Sequence, residues 1–530
     1  MTVSNIISNA YNIHGVIPPP VDPYSTIVDF KRDIISGFLP ETIIILAILA
    51  LCIIALIKPK YRKVAVIYTT GIGLVIALFA LVYSFLAASN SPVIFAGMFC
   101  SDPISIIFRF IMLISTLLVL AFTSSYLEKA YRFEAEFYIL LLTATLGAMI
   151  MSGANDLIMV FIAMETLGIS SYLLTGYIRS DNLNNEAALK YLIIGSAATA
   201  VLLFGMSYLY GLTGSTSFNE ITQKIIGSQL NITLFVILIM FIAGVAYKMG
   251  AAPFHVWAPD VYQGAPTPYA AFLSVASKAA GFILMIRIMA LIFGSILIWQ
   301  IIFAILAILS MFIGNLTALV QTDIKRLLAY SSIAHAGYII IGFAVASEYS
   351  ISSMIYYIVI YMFMQLGAWC SVVLFYNQTG SSDIEDYAGL AYKRPLLAGS
   401  FILCLLSLAG IPITAGFFAK FYIFQAAILE GNDYLWLIII ALINSAISIY
   451  YYMYVIKTMM LKEPSEAVQK LGSETFSLMP QSKAISFALG FTVSAVIIMG
   501  IFASPIIDLS NYSVQQLLDY KANILNRSIF

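Results

Sequence analysis

Stretches of about twenty apolar residues recur along this chain at intervals too short to leave room for a soluble domain. A helix needs about 20 such residues to cross about 30 Å of hydrocarbon. Fourteen spans are predicted, centred on Ile45–Ile57, Val64–Leu86, Pro103–Ser124, Phe137–Met151, Leu157–Tyr177, Ala187–Leu212, Ile232–Gly250, Pro266–Phe293, Leu297–Val320, Leu327–Ala346, Ile351–Leu374, Pro395–Phe424, Leu435–Met460 and Ala484–Ser504. Of 530 residues, 61% are hydrophobic and 10% charged. Soluble domains carry roughly 25% charge, so the expected fold class is an all-α integral membrane protein.

The basic residues test the count independently, because cytoplasmic loops gather Lys and Arg. Fifteen fall on one set of connections (Lys58, Lys60, Arg62, Lys63, Lys129, Arg132, Arg179, Lys325, Arg326, Lys393, Arg394, Lys457, Lys462, Lys470 and Lys483). Five fall on the other set (Lys31, Arg32, Lys224, Lys521 and Arg527). This bias places both termini on the non-cytoplasmic side, as an even number of crossings requires. The expected organisation is an irregular non-cytoplasmic extension (1–40), helices 1–3 (41–135), a five-helix unit (136–295), a second five-helix unit (296–465), and a last helix with a non-cytoplasmic tail (466–530).

Several function classes lose support. The 26 basic and 26 acidic residues cancel, and nucleic-acid binding normally shows a basic face. The four cysteines, Cys52, Cys100, Cys370 and Cys404, form no CxxC or Cys/His cluster, which leaves zinc, iron–sulfur and disulfide readings without a basis. No phosphate-binding GxxxxGK[ST] loop occurs, so nucleotide hydrolysis is not expected.

Six basic residues remain inside or at the edges of spans: Arg109, Lys190, Lys248, Lys278, Arg287 and Lys420. A charge at mid-bilayer costs at least about 2.5–3.5 kcal/mol on insertion scales, so each asks for a reason. The sharpest set is Glu165 in the fifth span, Lys248 in the seventh, Lys278 in the eighth and Lys420 in the twelfth, the lysines having small residues nearby. The bland alternative is snorkelling to an interface, with Glu165 neutralising one lysine in a structural pair. Burial disfavours the charged lysine and a nearby carboxylate restores it. A buried lysine whose carboxylate partner approaches or withdraws is therefore a protonation switch.

Breaks are predicted beside two of these lysines, at Gly250-Ala-Ala-Pro253 and Gly410-Ile-Pro412, because proline removes a backbone donor and clashes with the preceding turn. Paired interrupted helices in corresponding halves point to a transport site. Lys248 and Lys420 lie 172 residues apart. The same step carries Glu165 to position 337, beside His335 in the tenth span, and Lys278 to Tyr450. Two inverted repeats, spans 4–8 and 9–13, are expected from this, since five crossings reverse direction. Histidine's ordinary pKa, about 6.5, suits a proton relay at His335; the alternative is a satisfied hydrogen-bonding histidine. Ser331, Ser332, Tyr338, Gln365 and Asn444 would complete a polar line. The Pro- and aromatic-rich segment 253–268 reads as a rigid interfacial connection, with His255 and Asp260 structural.

Lys248-Met-Gly-Ala-Ala-Pro253-Phe-His-Val-Trp257-Ala-Pro-Asp260, continuing to Pro268, with Ser277-Lys-Ala-Ala-Gly281 and the run Lys325–Tyr338, resembles the antiporter-like membrane subunits of complex I over nearly the whole chain. The likeness is closest to the subunit N branch, called subunit 2 in photosynthetic and mitochondrial versions. Glu165–Tyr177 and Asn185–Tyr191 are similar to the photosynthetic forms. The resemblance implies fourteen helices, inverted five-helix repeats, and proton pumping while electrons pass to quinone elsewhere. It assigns proton transfer to Glu165, Lys248, Lys278 and Lys420. It also implies that this chain binds no cofactor, and that partner subunits hold the iron–sulfur clusters, the quinone and the site for NADH, NADPH or ferredoxin. Implied partners are other antiporter-like subunits, small subunits of the K/J type and lipids, in a bacterial inner membrane or a thylakoid. A cation/proton antiporter of the related multi-subunit type is the alternative.

Overall fold

The computed structural model describes residues 30–56, 59–86, 93–130, 134–225, 232–294, 298–471 and 483–526. Most of the 1–40 extension lies outside them. Without water in the hydrocarbon, each backbone amide must bond within its own segment, so helices are the form that apolar runs of this length take. Among the described residues the first six spans are α1 (Phe30–Ala55), α2 (Arg62–Leu86), α3 (Pro103–Thr123), α4 (Ala135–Gly153), α5 (Leu157–Thr175) and α6 (Asn182–Thr213). A short helix α7 (Phe218–Ile225) precedes α8 (Ile232–Met249), and a second, α9 (Trp257–Gly264), separates α8 from α10 (Thr267–Ile292). Then follow α11 (Trp299–Ala318), α12 (Ile324–Val345) and α13 (Glu348–Thr379). The half-helices α14 (Pro395–Ala409) and α15 (Ala415–Leu429) lead to α16 (Asn432–Leu461), α17 (Lys483–Ile501) and α18 (Ser504–Asn526). Among the described residues thirteen helices are long and apolar enough to cross a membrane, and the shorter apolar helices α14 and α15 lie where the fourteenth crossing is expected.

Burial identifies the centre of the bundle. The most apolar windows of α10, α12 and α13 are 94%, 94% and 100% buried, against 33% for α6 and α16. The centre therefore holds Lys278 of α10 and His335 of α12.

Both expected breaks are present and share one geometry. Gly250 has φ +68° and Gly410 has φ +83°, a conformation glycine adopts without a Cβ clash. At each, the residue after the glycine donates back to the helix, Ala251 N to Ala246 O and Ile411 N to Leu406 O, both 3.1 Å. This is the Schellman way of satisfying carbonyls at a helix end.

Other contacts also occur twice. A Cβ on Gly147 would meet Leu167 N and Ala163 O, and one on Gly314 would meet Ala334 N and Tyr330 O, so α4 packs on α5 as α11 packs on α12. Asp156 caps α5 and Asp323 caps α12. Each aspartate segment bridges a strand-like partner, Ser217 and Asp383, and each carboxylate accepts a hydroxyl, from Thr216 and Ser382. The steps are 167 residues for Asp156 to Asp323, 166 for Ser217 to Asp383 and 160 for Gly250 to Gly410. No constant step of 172 relates these contacts. Lys248 precedes its break whereas Lys420 follows its own, and Tyr450, which the step of 172 reaches from Lys278, is 67% exposed.

One further local expectation is corrected, and two other segments gain detail. The extension is helical from Phe30, because Asp33 accepts from Phe95 N at 2.8 Å and Arg109 donates to Gly37 O at 2.8 Å, tying the segment to the bundle. Segment 253–268 is largely buried, with Trp257 and Tyr262 at 1% and 0% exposure, because α9 folds back against α6 and α12. The tail forms α18, which packs on α13 and α3 through residues such as Val514 and Leu517.

Candidate proton-transfer site

Lys248 is the penultimate residue of α8 and is 1% exposed. Its ammonium lies 5.9, 5.8 and 5.8 Å from the ring centroids of Tyr172, Tyr191 and Tyr247 and has no hydrogen-bond partner. Ring faces attract a desolvated cation. The cage has a fixed floor: the Trp257 indole donates to Tyr247 O at 3.1 Å and stacks on Tyr191 at 4.6 Å. Glycines leave it room, since a Cβ on Gly195 would lie 2.1 Å from the Tyr172 hydroxyl and 2.6 Å from that of Tyr247. Glu165 is half-buried on α5, close enough for its charge to act on Lys248, and no ion pair joins the two.

Lys278 directly follows a π-helical turn, Leu273–Ser277, a local widening common at functional sites. Its ammonium donates to Ser332 O at 2.9 Å and Ser332 Oγ at 2.8 Å. A Cβ on Gly250 would lie 3.2 Å from that ammonium, which places Lys278 over the break that ends α8. Lys420 sits at the other break: it donates to Ala409 O, the last carbonyl of α14, at 2.8 Å and to Ser445 Oγ at 3.0 Å. Carbonyl ends of half-helices carry negative potential and favour a cation.

Between Lys278 and Lys420 runs a polar line. His335 Nδ1 lies 2.7 Å from Tyr357 Oη and Nε2 lies 3.3 Å from Tyr452 Oη. Tyr452 bonds Ser331, and the adjacent Tyr451 donates to Asn315 Oδ1 at 3.1 Å. The Asn315 amide donates to Tyr338 Oη and Asn444 Oδ1, both 3.2 Å, and the Tyr338 ring centroid lies 4.9 Å from the Lys420 ammonium. Both side-chain polar atoms of Gln365 are buried without a protein partner. Lys278, His335 and Lys420 are thus brought together with Ser331, Ser332, Tyr338 and Asn444, whereas Glu165 and Lys248 form a separate station.

Sequence reasoning missed the cage tyrosines, Trp257 and Asn315. Polar residues at these places inside apolar runs were a signal, but tyrosine is also an ordinary membrane-interface residue. The other three basic residues singled out from the sequence are paired. Arg109 meets Glu41 at 3.3 Å with both side chains fully buried, Arg287 meets Asp102, and Lys190 meets Asp260 at 2.6 Å. Arg326 reaches the other oxygen of Asp260 at 2.8 Å, so this carboxylate ties α6 to α12 through α9.

Buried cations at two broken helices, joined by hydroxyls, amides and an imidazole, define a multi-pass membrane protein built to move protons. The family model of the NADH:quinone oxidoreductase/Mrp antiporter transmembrane segment matches residues 154–448. The chain is 44% identical to NAD(P)H-quinone oxidoreductase subunit 2 of Crocosphaera subtropica, covering 95% of this chain and 98% of that one. It is 44% identical to the chloroplastic subunit 2 of Mesostigma viride over 91% and 96% of the two chains. A chain of respiratory complex I from Thermus thermophilus superposes with a TM-score of 0.74 at 29% identity, covering 89% of this chain and 99% of that one. A chain of the Mrp complex from Dietzia sp. shares the fold, with a TM-score of 0.80 at 20% identity over 92% and 99%. The chain belongs to the NADH:quinone oxidoreductase/Mrp antiporter family, as a membrane subunit of the proton-translocating quinone oxidoreductase type.

Proposed function

We propose that protons from the cytoplasmic side reach Lys278, pass along the line through His335 and leave through Lys420, while Lys248 and Glu165 open and close as an ion pair. The observation that carries this reading is the succession of buried polar groups between Lys278 and Lys420, with each lysine set against a helix break. The Tyr cage supports the switch: it holds Lys248 without a hydrogen bond, so the nearby carboxylate has an unsatisfied ammonium to approach or leave.

Electron transfer takes place in other subunits of the complex, which carry the redox cofactors. Small subunits of the K/J type are the proposed direct neighbours, and the membrane is a bacterial inner membrane or a thylakoid with both termini on the non-cytoplasmic side. Units 136–295 and 296–465 act as inverted repeats. The twice-used Asp caps support this, since five crossings separate Asp156 from Asp323 and put them at opposite faces.

Replacing Lys248 by Ala should lower proton pumping in a complex that still assembles; undiminished pumping at a normal assembly level overturns the switch. Co-purification of hydrophilic iron–sulfur subunits separates this reading from a stand-alone antiporter.

A further inference from the structure

Helices α2 and α17 both pack on α3, and a cleft remains between them. In the half of the bundle next to the basic loops the cleft widens into a cavity of about 640 Å³, bounded by Ile67 and Gly71 of α2, Leu117 and Ala121 of α3, and Ala484 and Phe487 of α17. In the other half the same three helices, with α13 and α18, bound a second cavity of about 300 Å³. Glycine and alanine at 71, 121 and 484 leave the first space open, and Phe487 and Phe491, stacked at 6.3 Å, form one wall. Every side chain that lines it is apolar apart from the Tyr68 hydroxyl.

Exposed apolar side chains are the rule on a face turned to lipid and by themselves identify no ligand. A concavity does more. An empty void forfeits contacts for every atom that lines it, and water finds too few polar partners in such a place, so hydrocarbon fills it. The two cavities share α2, α3 and α17 but no lining residue. The cleft is therefore interrupted between Phe110 and Ile114, near the middle of α3. Acyl chains entering from opposite leaflets meet at such an interruption, whereas a partner helix crossing the membrane needs an unbroken groove.

The rim of the larger cavity carries positive charge. Lys63 stands one turn before Ile67 on α2, and Lys483 one turn before Phe487 on α17; residues four apart share a helix face. Arg62 adjoins Lys63, Lys483 is exposed, and neither α2 nor α17 contains an acidic residue. Basic side chains beside a span attract anionic headgroups, and a lysine stem lies along hydrocarbon while its ammonium stays at headgroup level.

We propose that the cleft of α2, α3 and α17 is a binding site for one anionic diacyl lipid of the leaflet beside the basic loops. An acyl chain fills the larger cavity against Gly71 and Ala484, and the headgroup phosphate lies between Lys63 and Lys483. The lipid bridges α2 and α17, which face each other across the cleft, and so fastens the first helices of the chain to the last crossing. This site stands apart from the buried lysines, and its occupancy bears on the stability of the complex rather than on protons moved per electron.

The test uses the whole complex in vesicles that contain phosphatidylglycerol with a photoreactive diazirine in its acyl chain, or the phosphatidylcholine analogue. After irradiation, lipid adducts on the peptides of α2 and α17 are counted by mass spectrometry. Wild type should carry about fivefold or more adducts from phosphatidylglycerol than from phosphatidylcholine, the factor one lysine near a membrane surface supplies. Lys63→Gln with Lys483→Gln should bring the two lipids level. Gly71→Leu and Ala484→Phe should lower labelling by both lipids, since a Cβ on Gly71 meets only Leu120 Cδ2 at 3.5 Å and Ala484 is exposed, so each larger side chain enters the cleft without disturbing the bundle. Gly211→Leu, whose added Cβ meets nothing within 4 Å and which lies outside the cleft, should lower neither. Equal labelling of wild type by the two lipids overturns the anionic site, and labelling unchanged by Gly71→Leu and Ala484→Phe overturns the cleft as its location. Photoreactive benzoylphenylalanine in place of Phe487 provides the second measurement: a product with another subunit instead of lipid means that a protein helix fills the cleft and overturns the proposal. Should the double lysine variant not assemble, Lys483→Gln alone decides by the same comparison.

Discussion

The ammonium of Lys420 lies 2.8 Å from the carbonyl oxygen of Ala409, the last residue of α14. The lysine thus closes the end of the half-helix that precedes its own. Lys278 stands in the corresponding place over Gly250, although it comes from α10, a different span. Two lysines in unequal sequence positions therefore occupy like electrostatic positions. A cation at such an end is favoured by the unsatisfied carbonyls, and its loss as a proton leaves should loosen the break.

Gly410 is the direct test of that arrangement. A Cβ there would sit 3.0 Å from Lys420 Cδ, and its φ of +83° is strained for any L side chain. Gly410→Ala should cost about 1–2 kcal/mol in backbone strain and displace the ammonium from Ala409. Pumping per electron is expected to fall, and the complex to inactivate at lower temperature. Wild-type values for both would show that the close approach is dispensable.

Gly195 is the corresponding test of the Lys248 cage. Gly195→Ala would press on the Tyr172 and Tyr247 hydroxyls, whereas Gly211→Ala on the same helix meets nothing within 4 Å. The first should reduce pumping toward the level of Lys248→Ala. The second should be neutral, or stabilising by up to about 1 kcal/mol through helix propensity. Equal behaviour of the two variants in vesicle pumping would remove the cage from the mechanism.

Asp260 sets a pH dependence outside the spans. Burial raises its carboxyl pKa, but the hydrogen bonds and charges of Lys190 and Arg326 outweigh burial and hold it below the ordinary value. A depressed carboxyl contributes stability that is present above its unfolded value, about 4, and that disappears as pH falls through the folded value. The stability gap between wild type and Asp260→Asn should therefore be flat from about pH 6 to 8 and close on acidification below about pH 4. Thermal inactivation measured across pH reads this directly; a gap that widens in acid contradicts it.

Arg109 and Glu41 form a buried pair with both side chains at 0% exposure. Glu41→Gln leaves an uncompensated guanidinium, expected to cost about 3–5 kcal/mol, and should sharply lower assembly. The double replacement Glu41→Met with Arg109→Met should recover much of the loss, because apolar side chains of similar volume replace buried pairs at little cost. Assembly levels on native gels separate the two outcomes.

Much of the architecture could be read from the chain alone. The fourteen crossings, the breaks at Gly250 and Gly410, and the presence of Glu165, Lys248, Lys278 and Lys420 within spans all follow from hydropathy, proline chemistry and the cost of a bare charge in hydrocarbon. These are local properties: each depends on a residue and its immediate neighbours in sequence. The 172-residue step failed because it matched lysines by distance along the chain, whereas Lys278 and Lys420 correspond through the helix ends they cover.

Tertiary structure alone decided which charges stay unpaired. Arg109, Arg287 and Lys190 find carboxylates on α1, just before α3 and on α9, while Lys248 finds three tyrosine rings and no carboxylate contact. It also drew segment 253–268 into the interior and laid α18 on the bundle. The physical reason is that a buried charge is governed by the groups facing it across a helix–helix contact, and those groups lie tens to hundreds of residues away along the chain. The sequence determined where the membrane is crossed and where it holds ionisable groups. Packing determined which of those groups are neutralised in place and which are left without a carboxylate contact.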